Sequence, residues 1–133
     1  MNIESEHWFK ATLRIKDASY LHEEIKAILG EGTECHKRGD PVSNKSGKSW
    51  SNDIWVISAP IPESAEPSEH LKWISEFIFP HEKQIIQWQR KGANIDVFLS
   101  YACSHQHHGF GLRPEALSMF LRLNMPLEVS IVV

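Results

Sequence analysis

Three segments of the chain alternate apolar and polar residues with a period of two, and this alternation restricts the fold more than any other feature. From Trp8 to Lys16, the apolar Phe9, Ala11, Leu13 and Ile15 interleave with Lys10, Thr12, Arg14 and Lys16. Successive side chains of a strand point to opposite faces, so this segment reads as a strand with one buried and one wet face. Between Ala93 and Ala102, Ile95, Val97, Leu99 and Tyr101 share a face opposite Asp96, Phe98 and Ser100. Leu127 to Val133 is apolar at every odd position, which predicts a strand set inside the sheet and intolerant of truncation.

Between these strands the period changes to that of a helix. Leu21, Ile25, Ile28 and Leu29, with Glu23 and Glu24 early and Gly30 past the end, predict a short amphipathic helix. Leu71, Ile74, Ile78, Ile85 and Trp88 form the longest stripe, with Ser68 as its N-cap, His81 in the slot between Ile78 and Ile85, and Gly92 at its end. Pro80 lies inside that stripe, so the helix must kink there or restart. A third helix opens at Pro114, turns Leu117, Phe120 and Leu121 inward, and exits at Asn124. Further strands are predicted over Glu34 to Lys37, over the β-branched and aromatic Asp53 to Ala59, and over Gly109 to Leu112. The order β-α-β-β-α-β-β-α-β describes an α+β domain spanning residues 1–133, a largely antiparallel sheet with its helices packed on one face.

Charge and composition narrow the partners. A net charge of −3, a pI near 6.2 and no dense run of Lys and Arg argue against a nucleic-acid partner. No long apolar stretch or export leader is visible, so no membrane partner and a cytoplasmic location are expected. The two cysteines, Cys35 and Cys103, read as packing thiols. No catalytic residue and no cofactor is expected. No serine sits in a Gly-x-Ser-x-Gly elbow, Ser104 beside His105 lacks an orienting acid, Gly30-Glu31-Gly32 reads as a helix stop, and the spacing of Asp40, Asp53 and Asp96 does not pair two carboxylates.

Two candidate sites remain. In the first, a continued strand would project Cys103, His105 and His107 from one face beside His108, as metal ligands that Cys35 and His36 could join only from a neighbouring strand. The absence of a Cys-x-x-Cys pair and of a second spaced His pair favours a solvated turn there instead. In the second, Trp8, Trp50 and Trp55 are aromatic anchors for a protein partner, and Asp53, Glu63 and Glu66 complement a basic one.

Several motifs together resemble the bacterial family catalogued as domain of unknown function 4279. They are the opening strand, the Lys37-Arg38-Gly39-Asp40 bend, Ser49-Trp50-Ser51, Ile54-Trp55, the long helix, Gly92-Ala93-Asn94-Ile95-Asp96-Val97, and Gly109-Phe110-Gly111-Leu112 before Pro114-Glu115. Arg113 stands where that family commonly carries a capping serine. The resemblance implies no established enzymatic chemistry; some such proteins, encoded beside secreted toxins, look like immunity proteins. The expected function is therefore a non-catalytic protein-binding module, an immunity protein that neutralises a cognate toxin, with a basic toxin domain as the expected partner. The alternative is a metal-binding protein or metal-dependent enzyme built on Cys103, His105, His107 and His108.

Overall fold

A computed structural model describes residues 7–42, 47–103 and 109–132. It contains strand β1 (His7–Lys16), helix α1 (His22–Leu29), strands β2 (Glu34–His36) and β3 (Ile54–Ser58), helices α2 (Pro67–Ile78) and α3 (Glu82–Arg90), strand β4 (Asn94–Cys103), helix α4 (Pro114–Arg122) and strand β5 (Leu127–Val132). The strands form one sheet in the order β2-β3-β1-β4-β5. Three of its pairings are antiparallel, and only β4 and β5 run parallel. This is the expected α+β class with a mostly antiparallel sheet.

Register turns the alternation into a layer. Ala11 faces Leu99, Leu13 faces Val97 and Ile15 faces Ile95 across β1 and β4, while Trp55 of β3 stands beside Ile15 and Cys35 of β2 beside Trp55. Leu21, Ile25 and Leu29 from the α1 region, Leu71, Ile74 and Ile78 from α2, Ile85 and Trp88 from α3, and Ala116, Met119 and Leu123 from the α4 region pack with these residues in one core. All four helices therefore lie on this inner face.

Local chemistry sets the breaks. Pro67 occupies the first turn of α2, where its missing N–H costs no intrahelical bond. Pro80 lies in a 3-10 turn over Phe79–His81 that separates α2 from α3, because its ring cannot share space with the carbonyl four residues earlier. Gly32 has a φ of 71°, and a Cβ there would run into the Val56 carbonyl and stand 2.9 Å from the Trp55 ring. The turn after α1 is thus pressed against β3, where the Trp55 indole N–H donates to the Gly30 carbonyl at 2.9 Å.

Four expectations are corrected. Ser68 does not cap α2; Glu66 is at that position, and the Ser68 hydroxyl accepts the Arg113 amide at 2.9 Å, tying α2 to the start of α4. Residues 109–112 form no strand: Phe110 packs edge-on against Phe9 and Tyr101 and Leu112 packs on the core, so burial of alternate side chains is achieved without a ladder. Leu121 is 89% exposed, not inward. Finally, β5 is an edge strand, because β1 and β4 take the middle and a local alternation carries no information about neighbours.

Candidate interaction surface

With all four helices on the inner face, the outer face of the sheet carries the even-numbered residues of β1 and β4. The register arranges them in rows. Glu34, Val56, Arg14 and Asp96 form one row, His36, Ile54, Lys16 and Asn94 a second, and Ser58, Thr12, Phe98 and Glu128 a third. Lys10, Ser100 and Ser130 form a fourth row, and Trp8, Ala102 and Val132 a fifth.

The middle of this face is a fixed electrostatic cluster. The Arg14 guanidinium donates through Nε to Asp96 Oδ1 at 2.7 Å and through Nη2 to Oδ2 at 2.6 Å. Its carbon lies 4.5 Å from the centre of the Phe98 ring, so the fork is held by a bidentate carboxylate on one side and an aromatic face on another. The hydrogen bond to Asp96 raises the Arg14 pKa above its ordinary value against the opposing effect of burial, with help from the charges of Asp96 and Glu128. Lys16 Nζ adds a longer contact to Asp96 at 3.8 Å. Thr12 and Ser58 join β1 to β3 through their hydroxyls at 3.1 Å.

The two ends of the face differ. At the start of β1, Trp8 is 37% exposed. At the other end the indole of Trp50 stacks on the His36 ring, with centroids 3.7 Å apart and planes 11° from parallel. The bend after β2 positions it: Trp50 donates to the Asp40 carbonyl and accepts from the Gly39 amide, both at 2.8 Å, and the Asp40 carboxylate accepts the Lys37 amide at 2.8 Å. Beside the stack lies a shallow hollow of about 340 Å³ bordered by Lys16, Glu34, His36, Trp50 and Ile54.

Of the six anchor residues expected from sequence, the structure brings Trp8 and Trp50 to the same outer face, at opposite ends of β1. Trp55 is corrected: it points inward and is 1% exposed, because β3 turns that side toward the helices. Asp53 is also corrected, being buried with its carboxylate accepting the Ala18 amide at 2.6 Å, so it fixes the entry to α1. Glu63 and Glu66 are exposed outside the sheet; the Glu63 carbonyl accepts the Phe9 amide, and Glu66 borders a separate hollow with Ser68 and Arg113. His105, His107 and His108 lie outside the described residues. Cys103 is buried on the inner face with Phe9 and Tyr101. Cys35 cannot join it, since β3 and β1 separate β2 from β4 and Cys35 is level with Ile95, about 27 Å of strand from Cys103.

Sequence reasoning missed a contact between Cys35 Sγ and His22 Nε2 at 3.0 Å. No spacing rule joins residues 13 apart on a helix and a strand, so only the packing of α1 on β2 reveals it. Burial lowers the His22 pKa, helped by the charges of Lys37 and Lys26, and burial raises that of the Cys35 thiol. Both shifts favour the neutral forms, and the contact ties α1 to β2 as a hydrogen bond. A hollow of about 560 Å³ between the ends of α3 and α4 is lined by Gln89, Arg90, Asn94, Arg122 and Asn124 with apolar neighbours. Among the described residues no three His, Cys, Asp or Glu side chains are grouped to hold a metal, and no helix is long and apolar enough to cross a membrane.

The model of the family described as Domain of unknown function (DUF4279) matches residues 7–133, nearly the whole chain, and the chain belongs to that family. No curated protein and no solved structure matches it.

Proposed function

For this member of the DUF4279 family we propose a non-catalytic protein-binding role, with the outer sheet face as the docking surface. The observation that carries this reading is a sheet face over which, among the described residues, no helix packs, and on which an arginine fork is held between Asp96 and Phe98 while Trp8 stands exposed at the rim. Tryptophan and arginine are over-represented among residues that dominate binding energy, and a side chain already fixed in place loses little entropy on docking.

A cognate bacterial toxin, which the chain would neutralise as an immunity protein, is the partner class we favour, on the family resemblance. The face itself balances Lys10, Arg14 and Lys16 against Glu34, Asp96 and Glu128. Preference for a basic toxin domain accordingly rests on the overall charge of −3 and on exposed Glu63 and Glu66 beyond the sheet. The test is titration calorimetry of the purified chain against the product of the adjacent gene. A stoichiometric complex weakened about 30-fold by Trp8→Ala or Phe98→Ala is expected, corresponding to about 2 kcal/mol each. Absence of a complex refutes the immunity reading, and a complex indifferent to both substitutions refutes the outer face as its site.

A further inference from the structure

The shallow hollow at the Trp50 end of the outer face is walled by a carboxylate that the protein itself uses only in part. Besides Lys16, Glu34, His36, Trp50 and Ile54, its lining includes Asp53, the residue before β3. Asp53 is 7% exposed, and one of its oxygens accepts the Ala18 amide at 2.6 Å. The other oxygen takes no hydrogen bond or ion pair among the described residues, and it is not sealed inside the protein. A carboxylate withdrawn from water keeps a strong demand for donors, and an unfilled acceptor costs free energy until a donor reaches it.

Glu34 adds a second carboxylate at the edge of the hollow. Its contact with His36 Nδ1, at 3.6 Å, is too long for a hydrogen bond. Trp50 supplies an aromatic surface, fixed by the His36 stack and by its backbone bonds to Gly39 and Asp40. Lys16 is the opposing charge in the lining, and its Nζ stands 3.8 Å from Asp96, where that charge is partly met. Two carboxylates and an indole around one hollow are receptor chemistry for a cation. Glu34, His36 and Asp53 are not placed to share a metal ion, since among the described residues no three such side chains are so grouped. The fitting cation is therefore an extended one. A guanidinium is planar, so it can lie against an indole, and its fork of N–H donors can serve carboxylates that stand apart.

We propose that this hollow receives an arginine side chain of the protein partner. The inference rests on the docking role proposed above for the outer face, and it gives that face a charge preference at one place. His36, Ile54 and Lys16 share a row next to the one that holds the Arg14–Asp96 pair, so a partner that covers the arginine fork reaches the hollow as well. The volume of about 340 Å³ is near the low end of ligand pockets, roughly 300 to 1,000 Å³, which suits one long side chain and not a folded element. The apolar stem of the arginine would lie on Ile54, with its head toward Glu34 and Asp53.

The first test needs no partner. N-acetyl-arginine methylamide is titrated into the isotope-labelled full chain and followed by NMR, with the citrulline counterpart, of the same shape but uncharged, as control. Saturable shifts are expected at the Trp50 indole and over residues 52–54, with a Kd on the order of 1 to 10 mM for a single side chain. Glu34→Gln and Asp53→Asn should each weaken binding by about 5-fold or more, and citrulline should leave the spectrum unchanged. Asp53→Asn keeps an oxygen for the Ala18 amide, and the melting temperature of each variant separates lost binding from lost folding. Shifts that citrulline reproduces, shifts spread over acids outside the hollow, or binding that survives both substitutions overturns the proposal. Calorimetry against the adjacent gene product then distinguishes this inference from the reading beneath it. A complex weakened by Glu34→Gln supports the hollow as a contact, whereas one indifferent to both substitutions overturns the hollow and leaves the outer face standing. Saturable arginine binding without any complex refutes the immunity reading and supports the guanidinium site.

Discussion

Leu13 and Arg14 are neighbours in sequence but belong to opposite faces of the same strand, and so do Val97 and Asp96. On the inner side Leu13 and Val97 are fully buried under helices. One residue away, Arg14 and Asp96 form a bidentate pair with no helix over it. The inner face is stable because apolar area leaves water, a non-directional gain that any well-packed set of side chains provides. The outer face is ordered by two charge-assisted hydrogen bonds and an aromatic ring, which set direction more than they add stability. A sheet so divided can vary its outer residues without losing its fold.

The sharpest way to break this comparison is to mutate each side of the same strand. Leu13→Ala should cost about 3 kcal/mol in urea denaturation, since a fully buried leucine leaves a cavity that the helices cannot close. Arg14→Ala should cost about 2 kcal/mol, less than a fully buried pair would, because the Arg14 side chain is 22% exposed; Asp96 is left with Lys16 at 3.8 Å as its remaining cation. Equal losses at the two positions would show that the outer cluster stabilises the fold as much as the core does.

Acid sharpens the contrast from the other direction. His22 and His70 are both buried, and burial lowers the pKa of each below the ordinary value. The unfolded chain then takes up these protons first as pH falls through about 6.5, so stability is level above that value and declines below it. Melting temperature should drop between pH 7.5 and 5.5, a window above the ordinary carboxylate range, and His70→Gln should flatten the drop. A melting temperature independent of pH in that window would contradict the burial of both rings. Trp8→Ala, at the rim of the outer face, should change stability by less than about 0.5 kcal/mol while abolishing most partner affinity.

What the sequence revealed follows from the range of each signal. Alternation and helical stripes are local, so β1, β4 and the inward faces of α1, α2 and α3 were legible residue by residue. Neighbours are not local: nothing in Leu127 to Val132 distinguishes an edge strand parallel to β4 from a central one. The same limit misplaced two of the anchors. Alternation puts Trp55 on the face opposite Ile54 and Val56, yet which side is covered depends on how β3 joins β1. Asp53 reads as a surface acid until its carboxylate meets the Ala18 amide, a partner 35 residues away. The Arg14–Asp96 pair was half legible, since the pattern put both on wet faces but only register set them side by side.

The pairing of β1 with β4 brings together residues 78 to 96 positions apart, from Lys16 with Asn94 to His7 with Cys103. The middle of the sheet is therefore closed by the paired strands most distant in the chain, whereas its β2–β3 margin forms between nearer ones. Because loop closure must precede the gain from such contacts, assembly of this molecule should take milliseconds or longer and should wait on β4 finding β1. Until then the apolar side of β1 has only β3 beside it, an interval in which the chain is most exposed to misassociation.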